Sequence, residues 1–389
     1  MGQVPALADV RVLDFSTVGP AARCARILAD YGAAVVKIGA PPGRPGVQIE
    51  PAWWSYGAGR GFRRIRLDLK SEGGLRAFQR LAAKADVVIE SFRPGVAERL
   101  GIGAEALRRA NPRLVYCSTS GYGQDGPAAG WAGHDLDYLA VGGYLHMSGR
   151  RADGGPALPG ATVADAAAGG MHAALAILAA LHRRERTGEG ATLDVSVAEG
   201  VLSLTALAVD EHLATGAEPG PGRDLLSGRY ACYDVYGCRD GRWLAVAAIE
   251  PRFWANLCRA LGLEHWSAKQ LEDDAQRAIR ADLRAAFKAR DRDDWVAALA
   301  PADTCVAPVL SVSELPHFEH FRARGAFGAA RHPEHGEVRQ LAPVLAGSAR
   351  SEGFPSACDT GHSDAAELLR EVGLAGTEIE ALRASGAVA

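Results

Sequence analysis

Short β-rich runs alternate with stretches of helical spacing through the first 120 residues, and that pattern fits a parallel sheet wrapped by helices better than any other fold. The run Val10-Arg-Val-Leu-Asp-Phe15 reads as a strand, and Gly19-Pro20 behind it supplies a stop and a proline for the first helical position. The spacing predicts a helix over 21–31, a break at Gly32 and a returning strand over 34–38, which completes one βαβ unit. A strand over 65–69, a helix capped by Ser71 and running to about Ala83, and the continuous apolar strand 86–90 repeat the unit. A short helix near 104–110 and a strand over 113–117 extend it, so the fold class is α/β, a Rossmann-like doubly wound sheet.

Such sheets often bind nucleotides, yet the first turn reads Ser16-Thr-Val-Gly-Pro20 and has neither G-x-G-x-x-G nor a P-loop lysine. NAD and ATP therefore lose support. With 43 basic against 46 acidic residues the net charge is −3, so bulk charge points to neither nucleic acid nor a membrane surface, and the ligand is expected to be small. The 7 cysteines have no C-x-x-C pair and read as reduced, and the amino terminus reads as entering a strand without an export signal, so a cytoplasmic location is expected.

An Ala/Gly-rich helix over 165–184 predicts unusually close packing, and the apolar stretch 163–181 around it, interrupted by Asp165 and His172, reads as a buried helix rather than a membrane span. Pro219-Gly-Pro-Gly222 is the clearest breaker and marks the expected start of a smaller α+β domain. Paired strands over 230–236 and 243–248, helices near 251–262, 270–289 and 292–300, and a proline-interrupted strand over 304–310 follow. The tail is polar and reads as loop-rich. The expected division is a large domain over 1–218, a small domain over 219–325, and a segment over 326–389 that returns to the large domain.

Three ionisable residues stand beside sharp local features: His134 in Gly133-His-Asp135, Asp165 at the head of the Ala/Gly helix, and Glu250 before Pro251. Each has an ordinary explanation. Asp165 suits a helix N-cap, where a carboxylate meets free backbone N–H groups and the positive helix end. Glu250 suits a strand end or helix cap, and His134 suits a structural histidine. The pairs His317/His320 and His332/His335 are spaced for a metal, but no cysteine pattern accompanies them and Pro333 interrupts the second, so no metal is expected.

Taken together, the segments ADVRVLDFSTVGPAARCARILADYGAAVVKI, RLDLKSEGG, VIESFRPGVAERLG, TSGYGQDGP, AGHDLDYLAVGG, RRERTGEGATLDVSVAEG and DGRWLAVAAIEPRFW resemble the family III CoA-transferase (CaiB/BaiF) superfamily from about residue 8 to about 330. Gly133-His-Asp135, Ala248-Ile-Glu-Pro251 and Asp303-Thr-Cys-Val-Ala-Pro-Val-Leu310 look most like its α-methylacyl-CoA racemase branch. The resemblance implies an interlaced homodimer that takes an acyl-CoA as substrate and needs no further cofactor. It implies that His134 and Asp165 stand on opposite faces of the substrate α-carbon and that Glu250 supports the histidine. Two positioned acid/base groups are what inversion of a carbon acid requires, with fixed donors for the enolate oxygen, for which the start of the helix near Asp165 is a candidate. In the transferases of the family the residue matching Asp165 instead attacks the thioester. A non-catalytic CoA-binding role is disfavoured because His134, Asp165 and Glu250 occur together.

For CoA, the resemblance implies contacts from Leu67, Lys70, Phe92, Arg93, Val96 and Arg99, the cations toward phosphate. The run Arg60, Arg63, Arg64, Arg66 adds positive charge that suits either a 3′-phospho-ADP or a solvated face. Two departures stand out. The glutamine that formyl-CoA transferases carry is missing near Thr17-Val18, and Gly228-Arg-Tyr-Ala231 replaces a Gly-Gly-Ala-Pro-like stretch, so Arg229 and Tyr230 are placed to narrow the acyl pocket or bind a polar acyl group.

Overall fold

The computed structural model describes residues 4–16, 18–41, 58–343 and 361–389. Strands β1 (Arg11–Asp14), β2 (Ala34–Gly39), β3 (Arg63–Arg66), β4 (Val87–Glu90), β5 (Val115–Ser120) and β6 (Ala191–Ser196) form one six-stranded sheet in the order 3-2-1-4-5-6. Every neighbouring pair is parallel, and the order reverses between β1 and β4. β3 stops short of the expected Leu69 because Leu67 bridges antiparallel to Val388, after which the Asp68 carbonyl takes the Ser71 N–H in a turn. β5 starts later than expected, since Leu114 still closes a turn onto the Asn111 carbonyl, and pairs with β6 as far as Ser120.

Helices α1 (Gly19–Asp30), α2 (Glu72–Ala82) and α3 (Ala104–Ala110) belong to the crossovers. Helices α4 (Asp135–Val141) and α5 (His172–Thr187) lie between β5 and β6, and α6 (Val197–Leu204) follows β6. The Ser71 hydroxyl caps α2 by accepting the Gly74 N–H at 3.0 Å. Because successive side chains of a strand point to opposite faces, Leu13, Val36 and Val88 pack toward α2, while Val12, Val35, Val87 and Ile89 pack toward α1 and α5. All four residues of β4 are buried, as expected of a parallel strand covered on both sides.

Two compact units divide the chain. The first comprises Met1–Tyr144, Pro159–Ala206 and Arg322–Ala389, and the second Leu145–Leu158 and Leu207–Phe321. The change expected at 219 thus falls at Leu207, ahead of the proline-glycine breaker and within the continuous helix Ala206–Thr215. In the second unit β7 (Tyr233–Gly237), β8 (Trp243–Ala247) and β9 (Val306–Pro308) form an antiparallel sheet, with Pro308 at the end of its edge strand. Helices α7 (Pro251–Leu261), α8 (Gln276–Phe287) and α9 (Arg292–Leu299) pack around fully buried Trp254, Tyr236 and Phe287.

The described parts of the tail hold more regular structure than its polarity implies. β10 (Phe327–His332) and β11 (Gly336–Leu341) form a hairpin, and α10 (Ala365–Glu371) and α11 (Gly376–Ala384) seal one face of the six-stranded sheet with Leu368, Leu369 and Ile379. The segment Ala164–Thr187 is long and apolar enough to cross a membrane by length and composition, and 50% of its most apolar window is buried in the protein.

Candidate active site

Where the strand order reverses, the loops at the carboxyl ends of β1, β4 and β5 diverge and leave a crevice, the usual ligand position of an open α/β sheet. A pocket of about 530 Å³ opens there. Gly19 and Pro20 follow β1, Phe92 and Arg93 follow β4, and His134 and Asp165 complete the wall. The structure therefore brings two of the three singled-out ionisable residues into one cavity.

Asp165 does not cap its helix. Val163 holds the cap position, and Ala164–Met171 is π-helical before it passes into α5, a geometry that concentrates at functional sites. Glycines let this segment approach its neighbours: a Cβ on Gly169 would stand 2.4 Å from Pro20, one on Gly170 2.5 Å from Arg23, and one on Gly200 2.1 Å from the Ala168 carbonyl. The close packing predicted for the Ala/Gly helix is thus real and locates Asp165 beside the start of α1. Gly19 has φ +77°, and a side chain there would meet the Asp165 carboxylate at 3.9 Å.

The N–H of Asp165 donates to Asp135 Oδ1 at 2.9 Å and that of Ala166 to the Thr162 carbonyl at 3.0 Å. These two donors near the start of the segment are engaged, so they are not open to an enolate oxygen. Burial, reinforced by the negative charge of Asp135, pushes the Asp165 carboxyl up to about 6, against opposing pulls from Arg23 and His134. That value suits a group that must exchange a proton near neutrality.

His134 stands at the head of α4 in extended backbone, its N–H donating to Asp137 Oδ2 at 2.9 Å and its carbonyl accepting the Asp137 N–H at 2.9 Å. The Tyr138 hydroxyl donates to the Gly133 carbonyl at 2.5 Å, which pins the residue before the histidine. Tyr138 fits only because Gly133 and Gly121 lack side chains: a Cβ at either would stand within 2.7 Å of its ring. Burial, with the charge of Asp165 second, raises the Tyr138 phenol to about 12, so it stays a donor.

Glu250 belongs to the second unit. It precedes Pro251 at the start of α7, is exposed, and its carboxylate makes no capping bond. Among the CoA candidates, Phe92 and Arg93 line the pocket, and the loop that carries them is anchored by the buried Glu90 carboxylate, which accepts the Phe92 N–H at 2.7 Å. Val96 and Arg99 lie on the short turn that follows, half-buried and exposed respectively. Lys70 is exposed beyond β3, whereas the Leu67 side chain is packed in the core at 2% exposure and offers a ligand only its main chain.

The basic run is not a free phosphate cradle. Arg60 is buried and donates to Asp30 at 2.7 Å and to the Leu341 carbonyl at 3.1 Å, while Arg63 pairs with Glu371 at 2.5 Å. Arg229 is likewise paired with Asp273 at 2.8 Å, in an exposed ion pair, and stacked 5.2 Å over Tyr230. His332 and His335 stack on each other at 4.5 Å, and the His332 Nδ1 accepts the N–H groups of Glu334 and His335. Among the described residues no three His, Cys, Asp or Glu side chains converge as metal ligands.

Sequence reasoning missed Arg23, Asp135 and Tyr138 as neighbours of Asp165. Asp135 and Tyr138 sit one and four positions after His134, but nothing in the spacing shows that both meet Asp165, which for Asp135 lies 30 residues away.

The family model for CoA-transferase family III matches residues 7–358. A human alpha-methylacyl-CoA racemase is 35% identical over 376 residues, covering 96% of this chain and 95% of its own. An acetyl-CoA:oxalate CoA-transferase of Acetobacter aceti is 33% identical over 77% of this chain and 79% of its own. A crystal structure of a CAIB/BAIF family protein from Brucella suis superposes with a TM-score of 0.79 at 27% identity, covering 95% of this chain and 100% of that one. With the pocket at the switch point and the match running along nearly the whole sequence, the chain belongs to CoA-transferase family III.

Proposed function

We propose that the protein is an acyl-CoA racemase, inverting the α-carbon of a 2-methyl or otherwise 2-substituted acyl-CoA by moving a proton from one face to the other. The observation that supports this reading is that His134 and Asp165 line one pocket, with the Asp165 carboxyl raised to about 6 chiefly by burial. One of the two removes the α-proton, the electron pair moves into the thioester carbonyl as an enolate, and the other returns a proton to the opposite face. Running the reaction in the other direction exchanges their roles, so both must be able to hold and release a proton at the working pH. Asp165 meets that requirement because its partial burial disfavours the charged form without forbidding it.

In this reading Phe92 and Arg93 receive the CoA portion, with the cation toward phosphate and Lys70 and Arg99 further along it. Glu250 supports the protonated imidazole of His134. The acyl-CoA is the substrate and a homodimer the working state. Exposed Met171 and Leu175 on the segment that carries Asp165 support a partner surface, with 55% and 65% of their area open to solvent.

A second reading, CoA transfer between carboxylic acids, has the transferase relatives in its favour. There Asp165 attacks the thioester carbonyl and expels CoA thiolate, leaving a mixed anhydride. The thiolate attacks the aspartyl carbonyl and releases the donor acid as its carboxylate. The resulting aspartyl-CoA thioester passes CoA to the acceptor carboxylate by the same two steps in reverse, freeing Asp165. The test starts from one epimer of a 2-methylacyl-CoA and follows appearance of the other in wild type, His134→Ala and Asp165→Ala. Epimerisation lost in both variants is the expected result. Epimerisation absent in the wild type, together with a hydroxylamine-sensitive adduct on Asp165, would favour the transferase.

A further inference from the structure

In the turn that presents Glu250 the Ala248 N–H donates to the Cys232 carbonyl at 2.8 Å, the Ile249 N–H to the Ala247 carbonyl at 2.9 Å, and the Glu250 carbonyl accepts the Trp254 N–H at 3.1 Å. β8 ends at Ala247, and the carbonyls of Ala248 and Ile249 lie beyond its pairing with β7 and β9. Both are instead claimed by a single side chain: the amide of Gln270 donates to the Ala248 carbonyl at 2.9 Å and to the Ile249 carbonyl at 2.6 Å. Gln270 is 8% exposed, and its main-chain carbonyl accepts from Gln276 Nε2 at 3.0 Å. Gln276 is itself buried at the start of α8 and accepts the Ala231 N–H at 2.8 Å. Hydrogen bonds from the Gln276 amide to the Gln270 main chain, and from the Gln270 amide to Ala248 and Ile249, thus link α8 to the peptide just before Glu250.

We infer that Gln270 is a positioning residue for Glu250, fixing the direction in which its carboxylate leaves the strand end. The inference rests on the role given to Glu250 above. Two adjacent carbonyls need two donors, and a glutamine amide is the neutral side chain that supplies both from one nitrogen without introducing charge. Without it the buried Ala248 carbonyl and the partly buried Ile249 carbonyl lose their donor, and the turn keeps only its backbone bonds at Ala248 and Ile249 to hold it. The carboxylate is attached one bond series beyond the held peptide, so a shift of the turn transmits directly to it. Glu250 makes no capping bond of its own that would restore its direction.

The experiment is a double-mutant cycle on α-proton exchange, with Glu250→Gln as one arm and Gln270→Met as the other, in the full-length protein. Gln270→Met keeps the length and removes the donors, and Gln270→Glu keeps the shape but reverses donor to acceptor, so either can serve if the other fails to fold by circular dichroism. The expected result is a fall in kcat of about tenfold or more in the wild-type background with little change in KM. In the Glu250→Gln background the same substitution is expected to change kcat less than about twofold, because there is no longer a carboxylate to place. Equal losses in both backgrounds, or an unchanged kcat in a folded Gln270 variant, overturn the inference and leave the role of Glu250 standing. Exchange untouched by Glu250→Gln overturns both.

Discussion

Asp165→Asn is expected to raise the stability of the protein while destroying its activity. The carboxyl is moved from its ordinary 3.8 to about 6, chiefly by burial, so between those pH values the folded chain holds a proton that the unfolded chain has released. Stability contributed by this group therefore falls as pH rises through that window and stays lowered above it. At about 1.4 kcal/mol per pH unit the full shift corresponds to roughly 3 kcal/mol. Partial contact with solvent reduces this to about 1–2 kcal/mol. Asparagine has the same shape and no charge to desolvate, so at pH 7.5 the variant should be more stable by that amount, a rise of about 2–5 °C in Tm. Thermal unfolding at pH 7.5 and at pH 4.5 measures it, and the advantage should shrink at the lower pH, where the wild-type carboxyl is already largely protonated. Equal stability at pH 7.5, or an advantage that does not change between the two pH values, would refute the argument that Asp165 is held protonation-ready by its surroundings.

Two further substitutions probe how the site is built. Gly200→Ala places a methyl 2.1 Å from the Ala168 carbonyl, so α6 and the π-helical segment must separate. A loss of about 1–3 kcal/mol in urea denaturation, with a fall in kcat, is expected. Arg93→Ala removes a cation from the pocket wall without touching His134 or Asp165. It should raise KM for acyl-CoA about tenfold and leave kcat nearly unchanged, as steady-state kinetics will show.

Much of the fold is legible because its signals are local. β4 is apolar at three of four positions and buried throughout, α1 begins at a glycine-proline pair, and α2 is capped by the serine that the sequence offers. The tail helices α10 and α11 were hidden because their buried residues are few, and it is the sheet they cover that makes them helices. In the site, His134 and Asp165 stand out against their neighbours, whereas the Asp135 contact that raises the proton affinity of Asp165 depends on how α4 meets the π-helical segment. Arg60 and Arg63 mislead for the same reason. Clustered arginines look alike in sequence whether they meet a phosphate or, as here, Asp30 and Glu371.

The central claim is that His134 and Asp165 move the α-proton of an acyl-CoA, and deuterium incorporation tests it most directly. The wild-type protein incubated with a 2-methylacyl-CoA in D2O is expected to place deuterium at the α-carbon, followed by NMR. With each epimer assayed separately, His134→Ala should reduce that incorporation by at least about a hundredfold in one of the two. Wild-type protein that leaves the α-proton in place, or a His134→Ala variant that exchanges it as fast as the wild type in both epimers, would contradict the account.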